Sequence, residues 1–390
     1  MARLRIAIAH SPDGDPRVQR RRAGLRKTDA QEVVEVLRRA GHKTFFVVVD
    51  GTPKCLKRLA SVEADIVFNL VEGFGDDNTK EPHVAAYYDL LGLRYTGSGL
   101  RGLSLAMDKA LTKKVLAFHR VKTPKFATVF RGRLDWAHDI DFPVIVKPVR
   151  EDGSIGIGFS ALAGSIKELM ERIDQLHADF NHPVLIEQYI DGREIYVGVI
   201  GNARAEAFPP VELDLSHLPK GTPRIASNEV KWQEGTRAYR GSKVRIPHDL
   251  PQDVAKTIQQ AALTAFQALQ LRDYARFDFR QLFRMGEQDV RPGNRARTGR
   301  QASATPRVGR DTAAGGSAAG RFQPRQGLSG DGGVGELRTK PLISVGGIGP
   351  PVEFLVHFSR FHDVFYLEVI QNSKHAADVI LLGMADNQSI

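Results

Sequence analysis

The chain has 390 residues, 42% of them hydrophobic, and a formal net charge of +10. This length leaves room for two or three domains. No apolar run is long enough for a membrane span, so we expect a soluble globular protein without a membrane partner. The first ten residues lack the apolar stretch and cleavage site of a secretory signal, which indicates a cytoplasmic location. The single cysteine, Cys55, excludes an internal disulfide, and we interpret it as a small buried side chain.

The positive charge is concentrated in one segment. Residues 281–340 hold ten Arg and one Lys against five acids, so +6 of the +10 lies in these sixty residues. A basic segment can bind nucleic acid by neutralising phosphates, but this one lacks interleaved aromatic side chains for base stacking, so we expect no nucleic-acid partner. The segment also lacks Ile and any helical or alternating periodicity, and we therefore predict that it is disordered.

The N-terminal third has the pattern of a parallel sheet covered by helices. Residues 3–10 form an apolar strand, and a helix follows with Thr28 or Asp29 as its N-cap and Gly41 at its end. Two further apolar runs follow at 44–51 and 65–73, so strands and helices alternate within about ninety residues. Ligands gather at the carboxyl ends of such strands, which makes the loop 73–83 a candidate substrate loop.

Beyond residue 106 helices and strands alternate in a second pattern. Lys109 lies in a helical segment, and Lys147 ends a buried strand that runs directly into the glycine-rich stretch 151–158. A lysine on a rigid strand beside a flexible, glycine-rich backbone can place a cation and several N–H groups around a triphosphate. The stretch matches neither a Walker A sequence nor a GxGxxG fingerprint, so by itself it is a weak motif.

Carboxylates follow on later strands. Glu187, Gln188 and Ile190 lie on one extended run and Glu194 opens the next, where a strand edge can bind an adenine and an acid can accept ribose hydroxyls. In the strand at 273–280, alternation places Arg276, Asp278 and Arg280 on one face and two phenylalanines on the other. An acid in this setting indicates a divalent cation, because Mg²⁺ binds one or two carboxylates together with phosphates.

These motifs resemble a known family. In chain order they are MDKALTK, PVIVKPVREDGSIGIG, LIEQYIDGREIYVGV, NEVKW and DYARFDF. Five such motifs in register resemble the D-alanine–D-alanine ligase branch of the ATP-grasp superfamily, over roughly residues 3 to 280. The resemblance implies an α/β protein in which an ATP-grasp fold follows a Rossmann-like parallel-sheet domain.

The resemblance also implies a domain organisation. The expected parts are an N-terminal substrate domain (1–105), central and C-terminal ATP-grasp subdomains (106–190 and 191–280), the Arg/Gly-rich segment (281–340) and a degenerate closing strand with a tail (341–390).

Roles at the nucleotide site follow from the same resemblance. Lys109 and Lys147 would contact the ATP phosphates, with Lys147 also near the adenine. Glu187, Gln188 and Ile190 would line the adenine pocket and Glu194 would hold the ribose.

The resemblance assigns the remaining residues to the reaction. The loop around Ser154 would close over the phosphates, Lys231 would approach the transferred phosphate, and Arg276 would stabilise the oxyanion. Asp278 would bind Mg²⁺ or Mn²⁺. The implied chemistry is attack of a carboxylate on the γ-phosphate of ATP, followed by displacement of phosphate from the acyl phosphate by an amine. The implied protein is a homodimer acting on small amino acids, such as two D-alanines for peptidoglycan precursors.

The sequence departs from the family pattern after Arg280. The family places a second metal acid two residues before an asparagine, about a hairpin's length after the first. Here Glu368 has a suitable local context, but it lies ninety residues after Asp278 and Ile370 occupies the asparagine position. Either a long insertion separates the two acids, or the segment from about 281 onward is not family sequence because the reading frame was lost.

Two functions therefore remain open. One is an active ATP-grasp ligase with Asp278 and Glu368 as its metal ligands. The other is a catalytically impaired protein that still binds ATP. We favour loss of the reading frame over an insertion, because composition and periodicity change together at the same point.

Overall fold

The computed structural model describes residues 3–12, 28–136 and 138–282. Three sheets follow one another along the chain, a three-stranded parallel sheet and two five-stranded antiparallel sheets. The strands are β1 (Arg5–His10), β2 (Lys43–Val48), β3 (Ile66–Leu70), β4 (Phe126–Phe130), β5 (Arg133–Trp136), β6 (Val144–Pro148), β7 (Leu162–Ala163), β8 (Val184–Gln188), β9 (Gly192–Gly201), β10 (Glu206–Ala207), β11 (Val211–Asp214), β12 (Lys243–Arg245) and β13 (Asp273–Leu282).

Helices of eight residues or more pack against all three sheets. The α-helices are α1 (Asp29–Arg39), α2 (Pro53–Ala60), α3 (Glu81–Leu90), α4 (Leu100–Met107), α5 (Lys109–Phe118), α6 (Ile166–Asp179), α7 (Asn228–Lys231), α8 (Arg237–Arg240) and α9 (Gln252–Ala268). Single turns of 3₁₀ helix lie at Asn78–Lys80 and Phe159–Ala161. The mixed α/β class predicted from the sequence is confirmed. Within the described residues, no helix has the length and apolar character that crossing a bilayer requires.

The first sheet has the strand order β2-β1-β3. Thr28 caps α1 and forms a capping box with Gln31, which satisfies two backbone donors that the first helical turn leaves open. On one side of the sheet, Ile6 and Ile8 pack against α1. On the other side lies Cys55, which is fully buried as predicted.

The second sheet has the order β5-β4-β8-β6-β7. Alternation along β6 sends Val144 and Val146 into the core beneath α6. The opposite face of the same strand carries Ile145 and Lys147. Lys147 is therefore held on a strand that is buried along its whole length.

The third sheet has the order β10-β9-β11-β12, with β13 on the remaining edge of β9. Phe277 and Phe279 are fully buried in the core formed with α9. Arg276 and Asp278 lie on the opposite face, as the alternation predicts, and pair in register with Gly198 and Tyr196 of β9.

The last described strand reaches into the start of the predicted Arg/Gly-rich segment. β13 continues through Leu282, two residues beyond the point at which family-like sequence was expected to end, because its pairing with β9 extends to Gly192. Residues 283–340 of the segment predicted to be disordered, the predicted closing strand with its tail (341–390) and Glu368 lie outside the described residues.

Candidate functional site

An open cleft of about 530 Å³ is lined by both antiparallel sheets. Seven of the predicted site residues line it, namely Lys147, Ser154, Gln188, Ile190, Glu194, Lys231 and Asp278. The other lining residues are Ile145, Ile157, Ile225, Ala226 and Arg280. An apolar slot with a few converging charges is the usual form of a site for a small ligand that has one flat apolar part and one charged part.

Lys147 lines the cleft and belongs to a buried cluster of three charges, whose other two members, Glu187 and Lys113, lie behind the lining. Its Nζ contacts Glu187 Oε1 at 3.2 Å, and Lys113 Nζ contacts Glu187 Oε2 at 2.9 Å. All three side chains are at most 3% exposed, which excludes a solvated position for Glu187. Burial alone would raise the pKa of Glu187, but the charges of Lys113 and Lys147 and their hydrogen bonds outweigh burial and hold that pKa below its usual value.

Asp278 lies in the cleft against an arginine. Arg276 donates Nε to Asp278 Oδ1 at 2.9 Å and Nη2 to Oδ2 at 3.2 Å, and the guanidinium lies 4.6 Å from the centre of the Tyr196 ring. This bidentate contact fixes the plane of the Asp278 carboxylate. Lys231 approaches the same ring, with Nζ 5.8 Å from its centre. Arg276 itself is not among the residues that line the cleft.

Glu194 and Arg280 form a second buried pair. Arg280 Nε lies 2.7 Å from Glu194 Oε2, and each side chain is 5% exposed. Arg280 also donates Nη1 to the carbonyl oxygen of Gly192. The register of β13 on β9 places Arg280 opposite Glu194, so sheet pairing sets this contact.

The glycine-rich loop is docked on the segment 226–232. The Ser154 hydroxyl donates to the carbonyl of Ala226 at 2.9 Å, and the backbone N–H of Asn228 donates to the carbonyl of Ile157 at 2.8 Å.

The Trp232 indole N–H adds a contact at 2.8 Å to the carbonyl of Gly153. Arg172 of α6 holds the other side of the loop by donating Nη2 to the carbonyl of Gly156. The loop therefore closes one wall of the cleft.

Lys109 lies apart from the cleft. It lines a small neighbouring cavity together with Glu81, Glu151 and Asp152, and its Nζ donates to the carbonyl of Glu151 at the start of the glycine-rich loop. Burial lowers the pKa of Lys109 to about 8, although the nearby Asp152 carboxylate opposes this effect. The sequence prediction placed Lys109 and Lys147 together, whereas the two line different cavities.

Two charged residues near the site received no role from the sequence. The sequence assigned Arg280 to the correct face of its strand, but its pairing with Glu194 is set by the register of β13 on β9, which the sequence does not reveal. Lys113 reads as one more polar position of α5, and only the packing of α5 against the second sheet brings it to Glu187.

The described residues offer limited means to bind a metal. None of their His, Cys, Asp and Glu side chains form a group of three or more that could hold an ion. Asp278 is the carboxylate of the cleft that the sequence predicts as a metal ligand. It could serve an ion that binds together with phosphates.

Comparison with known proteins identifies the family. The family model described as D-ala D-ala ligase C-terminus matches residues 118–290. The D-alanine–D-alanine ligase of Syntrophotalea carbinolica is 31% identical over 250 residues, which is 63% of this chain and 73% of that protein. This chain belongs to the D-alanine–D-alanine ligase family. The resemblance stated from the sequence is confirmed.

Two further comparisons concern another relative and the fold. An uncharacterized protein of Sinorhizobium fredii, y4sG, is 32% identical over 257 residues, covering 64% of this chain and 73% of that protein. The structure of the D-alanine–D-alanine ligase from Bacillus anthracis complexed with ATP matches with a TM-score of 0.52 at 18% identity, over 71% of this chain and 81% of that one. The ATP-grasp fold predicted for this member of the D-alanine–D-alanine ligase family is therefore confirmed.

Proposed function

We propose that this protein is an ATP-dependent ligase that joins two small amino acids through an acyl phosphate. The observation that carries the proposal is the cleft of the D-alanine–D-alanine ligase fold, in which an apolar slot leads to Lys147 and Lys231. This pattern suits a flat base followed by a chain of phosphates.

The nucleotide would lie along the cleft. The adenine would bind between Ile145 and Ile225, with Gln188 and Ile190 at the strand edge, and Glu194 would accept the ribose hydroxyls. Apolar side chains with a few hydrogen-bonding groups at the edge are what a purine requires.

The phosphates would then reach the lysines and the loop. Lys147 and Lys231 supply positive charge, and the loop that carries Ser154 covers the phosphates and excludes water. Lys109 would act from the neighbouring cavity, where its ammonium anchors the start of this loop at Glu151. Fixed positive charges around the transferred group are the main means of accelerating phosphoryl transfer.

Mg²⁺ or Mn²⁺ bound with the phosphates would neutralise part of their charge. Asp278 is the described residue that would hold it, and Glu368 would be the second ligand if it reaches the cleft. Arg276 orients the Asp278 carboxylate through two hydrogen bonds, and by the family resemblance it would stabilise the oxyanion that forms when the amine attacks.

The bonds of the reaction balance without another reactant. A carboxylate oxygen of the first amino acid forms a bond to the γ-phosphorus, and the bond to ADP breaks. The amine nitrogen of the second amino acid forms the amide bond, loses a proton, and phosphate leaves. We propose D-alanine as the first substrate to test, and a cytoplasmic homodimer as the working form of the protein.

The test is release of phosphate from ATP with Mg²⁺ and a panel of D- and L-amino acids, together with ATP-dependent thermal stabilisation. Turnover with an amino acid supports the ligase. Stabilisation by ATP with no turnover on any substrate would show a nucleotide-binding protein that has lost ligase activity. A Lys147→Ala variant that keeps the full ATP stabilisation would contradict the nucleotide site in both cases.

A further inference from the structure

Lys113 is a buried cation that lines neither the cleft nor the cavity around Lys109. It is 3% exposed and lies on α5. Its Nζ contacts Glu187 Oε2 at 2.9 Å, donates to the Pro124 carbonyl at 3.4 Å, and lies 5.5 Å from the centre of the Phe126 ring. Burying an ammonium group costs several kcal/mol unless it is well paired, so its position requires a reason.

The charges of the cluster suggest that reason. Glu187 is fully buried, with one carboxylate oxygen on Lys147 and the other on Lys113. Without Lys113, the pair Glu187–Lys147 would be neutral, and an anion in the cleft would meet an ammonium already matched by a carboxylate. With Lys113 present, the cluster carries one net positive charge beside the cleft, where Lys147 is the member that lines it.

We propose that Lys113 is a positioning residue for nucleotide binding, which neutralises Glu187 from behind the cleft and so leaves the charge of Lys147 available to phosphates. The inference rests on the proposed ATP site. Lys113 is not a catalytic residue, because it acts through Glu187 and does not line the cleft.

The ionisation of Lys113 gives this inference a pH signature. Burial lowers the pKa of Lys113 to about 8, with Glu187 opposing and Lys147 adding to the effect. These two are the charged groups that act on it among the described residues. As the pH rises through about 8, Lys113 loses its charge. Glu187 then pairs with Lys147 alone, so ATP should bind more weakly.

The experiment is a double-mutant cycle read as the dissociation constant of ATP, measured by calorimetry on the full chain. We expect K113M to weaken ATP binding about tenfold in the wild-type background, but less than about threefold in an E187Q background, where no carboxylate remains to be neutralised. K122M, which removes an exposed lysine, is the control for net charge. Equal losses for K113M in both backgrounds would overturn the proposal.

A second measurement covers the case in which K113M does not fold. Arginine stays protonated at all the pH values used, so K113R should bind ATP with a flatter dependence on pH than wild type above pH 8. Lys109 titrates in the same range in both proteins, and the difference between the two curves isolates Lys113. Identical curves would contradict the inference, whereas a wild-type protein that fails to bind ATP would instead overturn the proposed function.

Discussion

Two glycines of the loop that covers the cleft provide a matched pair of substitutions. Gly153 and Gly156 both have left-handed backbones, with φ of +59° and +68°. A Cβ on Gly153 would meet nothing within 4 Å, whereas a Cβ on Gly156 would lie 2.9 Å from Pro148 Cγ and 3.0 Å from Phe180 Cε2. Both alanine variants therefore carry the conformational cost of about 1–2 kcal/mol, and only G156A adds a steric cost.

The size of the steric cost follows from where the clashing atoms lie. Pro148 is buried at the end of β6, so it cannot yield cheaply, and overpacking of this kind costs about 1–3 kcal/mol. The loop can avoid this cost by leaving its docked position, which breaks the backbone hydrogen bond from Asn228 to Ile157. G156A should therefore open the loop about 5- to 150-fold more often than G153A.

Hydrogen exchange of the peptide that contains the Asn228 amide measures this opening directly. In the regime where closing is fast, its exchange rate reports the open population. We expect a clear excess acceleration in G156A over G153A, weaker ATP binding in the same order, and unchanged exchange in β1 to β3. Equal acceleration in the two variants would refute the reasoning, because the variants differ in the space around the new Cβ.

Two further predictions concern charge. Burial lowers the pKa of Lys109 and of Lys113 to about 8 from an ordinary value of 10.5. Between pH 8 and 10.5 the unfolded chain therefore binds more protons than the folded protein, and the free energy of unfolding rises with pH. Above pH 10 the trend reverses, because burial raises the pKa of Tyr274 to about 12 and the folded protein then keeps a proton that the unfolded chain releases. Urea unfolding across this pH range measures both the rise and the later fall of the free energy of unfolding, and K109M should reduce the rise. A free energy of unfolding that does not change with pH would contradict this prediction. Asp278→Asn should lower ATP affinity measured with Mg²⁺ while leaving affinity without metal unchanged or improved, and an undiminished response to Mg²⁺ would exclude Asp278 as a ligand.

The sequence predicts the structure best where a single hydrophobic period, such as the alternation along a strand, decides which side chains are buried. In β13, alternation separates the phenylalanines from Arg276 and Asp278, because one face must enter the core with α9. The sequence likewise limited the N-cap of α1 to Thr28 or Asp29, and the structure selects Thr28, which forms a capping box with Gln31.

Contacts between distant elements were not readable in the same way. A lysine in an amphipathic helix normally faces solvent, so nothing local marks Lys113 as buried. Its contact with Glu187 exists because α5 packs beside the second sheet, and the Arg280 contact with Glu194 exists because of strand register. Lys109 shows the same limit, since its place in a separate cavity depends on how the glycine-rich loop folds back on its ammonium.

Most of the charged side chains around the cleft are paired with one another, and the charges left over show which part of a ligand the cleft can bind. The lining contains three cations and two carboxylates, Lys147, Lys231 and Arg280 with Glu194 and Asp278. Glu194 is matched by Arg280 and Asp278 by Arg276, while Lys113 matches Glu187 behind them. Among the described residues, Lys231 lies over an aromatic ring and forms no ion pair, so Lys147 and Lys231 are the charges left for a polyanion.

The described residues therefore supply the positive charges that the phosphates of a nucleotide would need. The metal side is different, since Asp278 is already engaged by Arg276, and the His, Cys, Asp and Glu side chains of the described residues form no group of three or more around an ion. A misplacement of about 1 Å at the reacting centre can cost roughly a hundredfold in rate. Damage to the segment after β13 should therefore reduce turnover long before it reduces ATP affinity, and the two measurements on one preparation distinguish an intact ligase from an impaired one.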